Sequence, residues 1–250
     1  VGFSTIVIRE FNRIVRIWAQ TILPPVVTAT LYFVIFGGLI GGRVGQVGGF
    51  AYMQFIAPGL IMMTVITNSY GNVVSSFFGA KFGKHFEELL VSPLPNWLIL
   101  CGYIAGGMVR GLLVGSVVTI VAFFFTRLAV AHIFAIISAV LLTSMVFSLG
   151  GFINALFAKN FDQISWFPTF VLAPLTYLGG VFYSIKMLPP WAHALSSANP
   201  ILYMVSTFRY GFLGTTDVDL TLAYGIMVGA VLIMFTVAVT LLNRGTGIRD

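Results

Sequence analysis

Long apolar runs alternate with short stretches of charge, proline and glycine along almost the whole chain. A helix needs about 20 mostly apolar residues to cross a bilayer. Cutting the chain at its polar and Gly/Pro punctuation predicts six such helices, from Pro24 to Gly42, Phe50 to Gly79, Trp97 to Phe125, Ile133 to Phe157, Ile164 to Tyr183 and Leu220 to Leu242. Only the third carries a full charge, Arg110. Ahead of them, Phe3, Val7, Phe11, Ile14 and Trp18 step by three or four residues while Arg9, Arg13 and Arg16 share the opposite face. That pattern predicts an amphipathic helix over residues 1–20 lying in the membrane interface, arginines toward headgroups. Pro24-Pro25 is expected to break or kink the chain between it and the first span. The glycines at 37, 38, 41, 42, 45, 48 and 49 predict a flexible outer connection to the second span.

Residues 186–212 fit neither class. They are too apolar for a solvated loop, and Pro189, Pro190 and Pro200 divide them into pieces too short to span. A re-entrant pair of half-helices in the outer leaflet accommodates both facts, with Trp191 and Tyr203 at the interface. The expected fold is an all-α membrane protein of six transmembrane helices, with an N-terminal interfacial amphipathic helix and an outer re-entrant hairpin before the last span. Residues 21–250 form its one transmembrane domain.

Composition agrees with the pattern. The chain is 58% hydrophobic and only 8% charged, against roughly 25% charge in a soluble domain, and its mean hydropathy is +1.01. The charge is positive, 13 Lys and Arg against 7 Asp and Glu. These cations are scattered between apolar runs, so they report topology and not nucleic-acid binding. Arg9, Arg13, Arg16, Lys81, Lys84, Lys159, Arg244 and Arg249 fall on one side, and Arg43, Arg127, Lys186 and Arg209 on the other. The excess places both termini in the cytoplasm. The chain opens on Val1, and its first apolar run is expected to be a retained anchor, not a cleavable signal.

Chemistry of a catalytic kind is not apparent. His85, His132 and His193 have no metal-ligand spacing, and Cys101 is the single cysteine. Gly79 to His85 imitates a phosphate loop, but it has one residue too few between its glycines and His in place of the magnesium-binding Ser or Thr. All seven carboxylates lie outside the predicted spans, so coupling to protons or sodium lacks its usual ligands. No cofactor or metal is expected on this chain.

Three intramembrane features remain. Thr64, Asn68, Asn72 and Ser75 form a polar stripe on the second span that must face protein or water, either lining a pathway or joining helices. Arg110 sits near the midplane and needs a partner, a cavity or an anionic ligand, or carbonyls that satisfy it structurally. Phe167, Phe170 and Tyr177 on the fifth span would suit a sugar face, a lipid tail or simple packing. Gly107, Gly111 and Gly115 form a ridge expected to admit a neighbouring helix.

With the basic N-terminal helix and six spans, the turn Glu87-Glu88-Leu89-Leu90-Val91-Ser92-Pro93-Leu94-Pro95, the stretch Leu188-Pro189-Pro190-Trp191 and the later Asn199-Pro200 and Arg209-Tyr210-Gly211, the whole chain resembles the ABC-2 type transporter permeases of bacterial inner membranes. The resemblance implies an ATP-binding-cassette exporter subunit working as a homodimer in lipid, with ATP and magnesium held on a separate cytoplasmic ATPase. It further implies that segment 81–95 docks on that ATPase through Lys84, Phe86, Glu87, Glu88 and Leu89. Pro190, Trp191, Asn199, Pro200 and Arg209 would mark the outer re-entrant motif. The family's cargoes are lipid-linked glycans, polysaccharides, lipids and hydrophobic drugs. Two rivals stand beside this reading: an ATP-independent channel or carrier, and a non-transporting membrane scaffold.

Overall fold

The structure, a computed structural model, describes residues 2–83 and 94–247, which are mostly helical. Helix α1, Gly2–Arg16, stops where Ile17 leaves helical geometry (φ −105°, ψ 30°). Helix α2 follows at once over Trp18–Val44. The chain does not break at Pro24-Pro25: both prolines lie inside the helix, and helical geometry is interrupted about two turns earlier, at Ile17. Adjacent prolines free only two neighbouring carbonyls, a local defect that an apolar helix tolerates.

The glycine-rich connection is also more ordered than its composition suggested. Gly37, Gly38, Gly41 and Gly42 are helical, over a π-helical stretch at Phe33–Ile40 and a last turn at Gly41–Val44. The reversal is a hairpin in which β1, Gln46–Val47, pairs antiparallel with β2, Phe50–Ala51. Gly48 and Gly49 supply its two positive φ angles, 60° and 86°, which a tight hairpin requires.

Helix α3, Tyr52–Phe82, is buried along most of its length and packs on α4 (Asn96–Phe125), α5 (Ile133–Phe157) and α8 (Pro200–Leu213). The glycine ridge makes part of this possible. A Cβ on Gly111 would land on the Ser69 hydroxyl, and one on Gly107 would strike Ser148 and Val73. A second pair on α4, Gly102 and Gly106, receives Ile6 and Glu10 of α1. From α5, a Cβ on Gly151 would sit 2.6 Å from the Tyr70 carbonyl oxygen.

Helix α6 covers residues 161–177 as two α-helical pieces around a π-helical Pro168–Leu172. It ends six residues before the expected Tyr183, because the chain turns through Gly180 at φ +71°. Two short helices follow, α7 (Pro190–Ser197) and α8, each with proline in its first turn, where the missing N–H costs nothing. Helix α9, Leu220–Arg244, begins with the Asp219 carboxylate accepting from Leu222 N–H and ends at Gly245, φ +67°.

Among the described residues, Trp18–Val44, Asn96–Phe125, Ile133–Phe157 and Leu220–Arg244 are long and apolar enough to cross a membrane. Helix α3 has the length, but its Thr, Asn and Ser residues dilute its hydropathy. Those residues are where the site lies.

Candidate functional site

One face of α3 is left open by its neighbours. Thr64, Thr67, Asn68, Gly71 and Ser75 occupy it, and a Cβ built on Gly71 would meet nothing within 4 Å. Helix α6 runs beside α3, with Phe161 against Phe78 and Phe167 stacked on Tyr70 at 5.6 Å. Beyond the end of α6, the Phe182 carbonyl accepts from the Tyr52 hydroxyl. Helix α2 approaches the same helix through Pro24, Thr28 and Tyr32. At one end α2 and α6 meet: the hydroxyls of Tyr32 and Tyr177 are 3.4 Å apart, and the Phe182 ring lies about 6 Å from both rings.

The predicted stripe divides into two environments. Thr64 and Asn68, with Gln20, Thr28, Tyr32, Thr67 and Arg110, line a cavity of about 330 Å³ between α2, α3 and α4. Thr64 donates to the Ile61 carbonyl at 2.7 Å and Asn68 Nδ2 to the Thr64 carbonyl at 2.9 Å, so both donors are held by their own helix. Arg110 makes no hydrogen bond or ion pair among the described residues, and its Nε is buried without a partner.

Asn72 and Ser75 do something else. Asn72 is fully buried and accepts from Arg13 at 2.8 Å through Oδ1 and 3.1 Å through its carbonyl, while Ser75 Oγ accepts from the same guanidinium at 3.3 Å. Arg13 also pairs at 3.0 Å with Glu10, a carboxylate only 1% exposed. Glu10 receives further hydrogen bonds from the Ser76 hydroxyl and from Asn72 Nδ2. Arg9 donates to Tyr103 at 3.0 Å. The inner part of the stripe thus joins α1 to α3, and Arg13 is turned to protein, not free for headgroups as the sequence pattern suggested. Sequence reasoning passed over Glu10. Its signal was a lone carboxylate spaced four residues from both Ile6 and Ile14, the two apolar residues buried with it.

The fifth-span aromatics separate too. Phe167 packs on Tyr70, whose hydroxyl accepts from Asn154 at 2.6 Å. Phe170 is exposed beside Trp166, and Tyr177 is exposed at the Tyr32 contact.

Of the residues expected in the re-entrant motif, Arg209 is buried within helix α8. It donates to the carbonyls of Phe55 at 3.2 Å, Gly180 at 2.7 Å and Val181 at 3.4 Å, and its guanidinium lies 3.8 Å from the Phe55 ring centre. Asn199 caps α8 by accepting from Ile201 N–H and donates to the Leu175 carbonyl at 2.6 Å. Pro190 and Pro200 open the two short helices, and Trp191 is exposed. Lys84, Phe86, Glu87, Glu88 and Leu89 lie outside the described residues. No group of three His, Cys, Asp or Glu suited to a metal occurs among those that are described.

Residues 1–213 match the ABC-2 type transporter family. The chain is 53% identical over 250 residues to the inner membrane transport permease YadH of Escherichia coli strain K12, covering 100% of this chain and 98% of that protein. It is 25% identical over 228 residues to nodulation protein J of Rhizobium leguminosarum bv. viciae, covering 90% and 87%. Nodulation protein J of Rhizobium meliloti strain 1021 is 21% identical over 230 residues, covering 92% and 88%. With a family match across most of its length and a relative this similar end to end, the chain belongs to the ABC-2 type transporter family.

Proposed function

We propose that this chain is the membrane-spanning permease subunit of an ATP-binding-cassette exporter of the bacterial inner membrane. In this reading α2, α3, α4, α5, α6 and α9 are six spans, both termini face the cytoplasm, and α1 lies at the inner interface with one side against the bundle. Helices α7 and α8 form the outer re-entrant hairpin. Two copies pair in the lipid and two cytoplasmic ATPases supply ATP and magnesium, docked on segment 81–95. The ATPases' closure moves the paired bundles between inward and outward openings.

The observation that carries the reading is the uncovered polar face of α3 flanked by α2 and α6, with aromatic side chains at one end. Polar groups at bundle depth are costly against lipid, so such a face requires a second protein surface or a passage. Family membership supports the choice of an ATP-driven passage.

Co-expression with the ATPase encoded nearest to it, purification in detergent, and measurement of stoichiometry and ATP hydrolysis test the proposal. A complex of two permeases and two ATPases that hydrolyses ATP is expected. A chain that binds no ATPase and moves solute in liposomes without ATP would instead make it a channel or carrier.

A further inference from the structure

We propose that Arg110 is the anchor of a binding site for a single anionic head, a phosphate, sulfate or carboxylate, carried on an amphiphile that enters the cavity between α2, α3 and α4. Calling that amphiphile the cargo rests on the exporter reading above; the anion site itself does not.

Charge around Arg110 is unbalanced. Arg110 is the fifteenth residue of a 30-residue helix, which places it near mid-depth. A guanidinium there is expensive unless it is paired, hydrated or liganded. Other cations packed into the bundle are supplied: fully buried Arg209 has three carbonyls and an aromatic face, and part-exposed Arg13 has Glu10 and Asn72. Arg110 alone among these three has nothing, and Arg13 acts on it with a charge of the same sign.

No described carboxylate is free to serve it. Glu10 is committed to Arg13, Ser76 and Asn72; Asp217 to Ser184 and Lys186; Asp219 to the first turn of α9. Asp162 lies in the exposed first turn of α6.

The cavity's shape supplies the rest. Its volume, about 330 Å³, takes a headgroup and several carbons. Its lining mixes polar groups, Gln20, Thr64, Asn68 and Arg110, with apolar ones, Pro24 and Leu60, along the same helices, so a charged head and a short apolar stretch can both be accommodated. Thr64 spends its hydroxyl and Asn68 one of its two amide hydrogens on their own backbone, so the guanidinium is the charged donor left for an anion, and its planar fork binds oxyanions two atoms at a time. A cation or an uncharged sugar gains no comparable term there.

The test uses the full chain in detergent with Cys101→Ser and one reporter, Thr28→Cys, in the exposed part of the cavity lining. Its reaction with an anionic methanethiosulfonate is compared with that of a cationic one of similar size. The anionic reagent should react about tenfold faster, as expected for opposite charges near one partly desolvated cation. Arg110→Gln should abolish the ratio and Arg110→Lys should keep most of it. Dodecyl phosphate should slow the anionic reaction. Slowing by dodecyl phosphate but not by inorganic phosphate identifies an amphiphile, and slowing by both identifies a free-anion site. Equal rates for the two reagents in the Arg110 protein, or no protection by either phosphate, would overturn the proposal. Because no ATPase is present, such failure leaves the exporter reading to its own assay.

Discussion

The carboxylate of Glu10 ends on the hydroxyl of Ser76, a residue 66 positions further along the chain, at the point where α1 crosses Gly106. Arg13 and Asn72 complete the same cluster, in which Glu10, Asn72 and Ser76 are buried and Arg13 reaches the surface. Removing the carboxylate strands the other three. Glu10→Ala is expected to lower the stability of the detergent-solubilised protein by about 3 kcal/mol, in the range for breaking a buried pair. Arg13, part-exposed, should cost less when truncated. Denaturation midpoints of the two single variants and the double variant measure this, and additive effects would remove the coupling.

Arg209 makes a different demand, because three carbonyls from α3 and the turn after α6 converge on one planar group. Lysine keeps the charge but not the fork. Arg209→Lys is therefore expected to destabilise almost as much as Arg209→Met, by roughly 2–4 kcal/mol, and to expose the turn at residues 178–184 to proteolysis. A lysine variant with native stability would show that charge alone suffices.

The close approaches of glycine are not equivalent. At Gly111 an added methyl meets the Ser69 hydroxyl, which can rotate away; at Gly151 it meets the Tyr70 carbonyl oxygen, fixed in helix α3. Gly151→Ala should therefore impair folding far more than Gly111→Ala, with losses of about 3 kcal/mol against under about 1 kcal/mol. Expression yield and thermal stability of the two variants order them, and the reverse order would refute the packing argument.

Arg110→Ala deletes a charge without deleting a bond. In the proposed complex it should leave permease pairing and ATPase binding intact while lowering substrate-stimulated ATP turnover. Loss of assembly in this variant would make Arg110 a folding residue.

The Asp219 cap offers a mild control. Asp219→Ala should cost about 1 kcal/mol, whereas Asn199→Ala should cost more, because Asn199 both caps α8 and holds the Leu175 carbonyl. Thermal midpoints of the two variants test the ranking.

Much of the fold was legible where apolarity and punctuation coincide. Ile133–Phe157 matches its sequence boundaries at both ends, since His132 and Ala158 leave helical geometry there. The expectation failed where punctuation residues are absorbed by a helix, as at Pro24, Pro25, Gly37 and Gly38, because continuity there depends on packing and on π-helical adjustment. Of the site, the polar stripe and Arg110 were visible as costly residues in apolar runs. Which stripe residues face a cavity and which face α1 was not, because that depends on the rotation of α3 against Gly107 and Gly111 of α4 and on the seating of α1 at Gly102 and Gly106. Arg209 was placed in the 186–212 segment of half-helices, but its burial against the Phe55 carbonyl and ring was not legible, since that depends on how the 14-residue helix packs on α3.

The break at Ile17 separates two mechanical units. Helix α1 is fastened to α3 and α4 by the Glu10 cluster, the Arg9–Tyr103 bond and the seats at Gly102 and Gly106, yet it meets its own successor α2 only lightly. Force applied to the N-terminal segment is therefore delivered directly to α3 and α4, bypassing α2, which has its own separate seat on the bundle through Ala29 and Phe33.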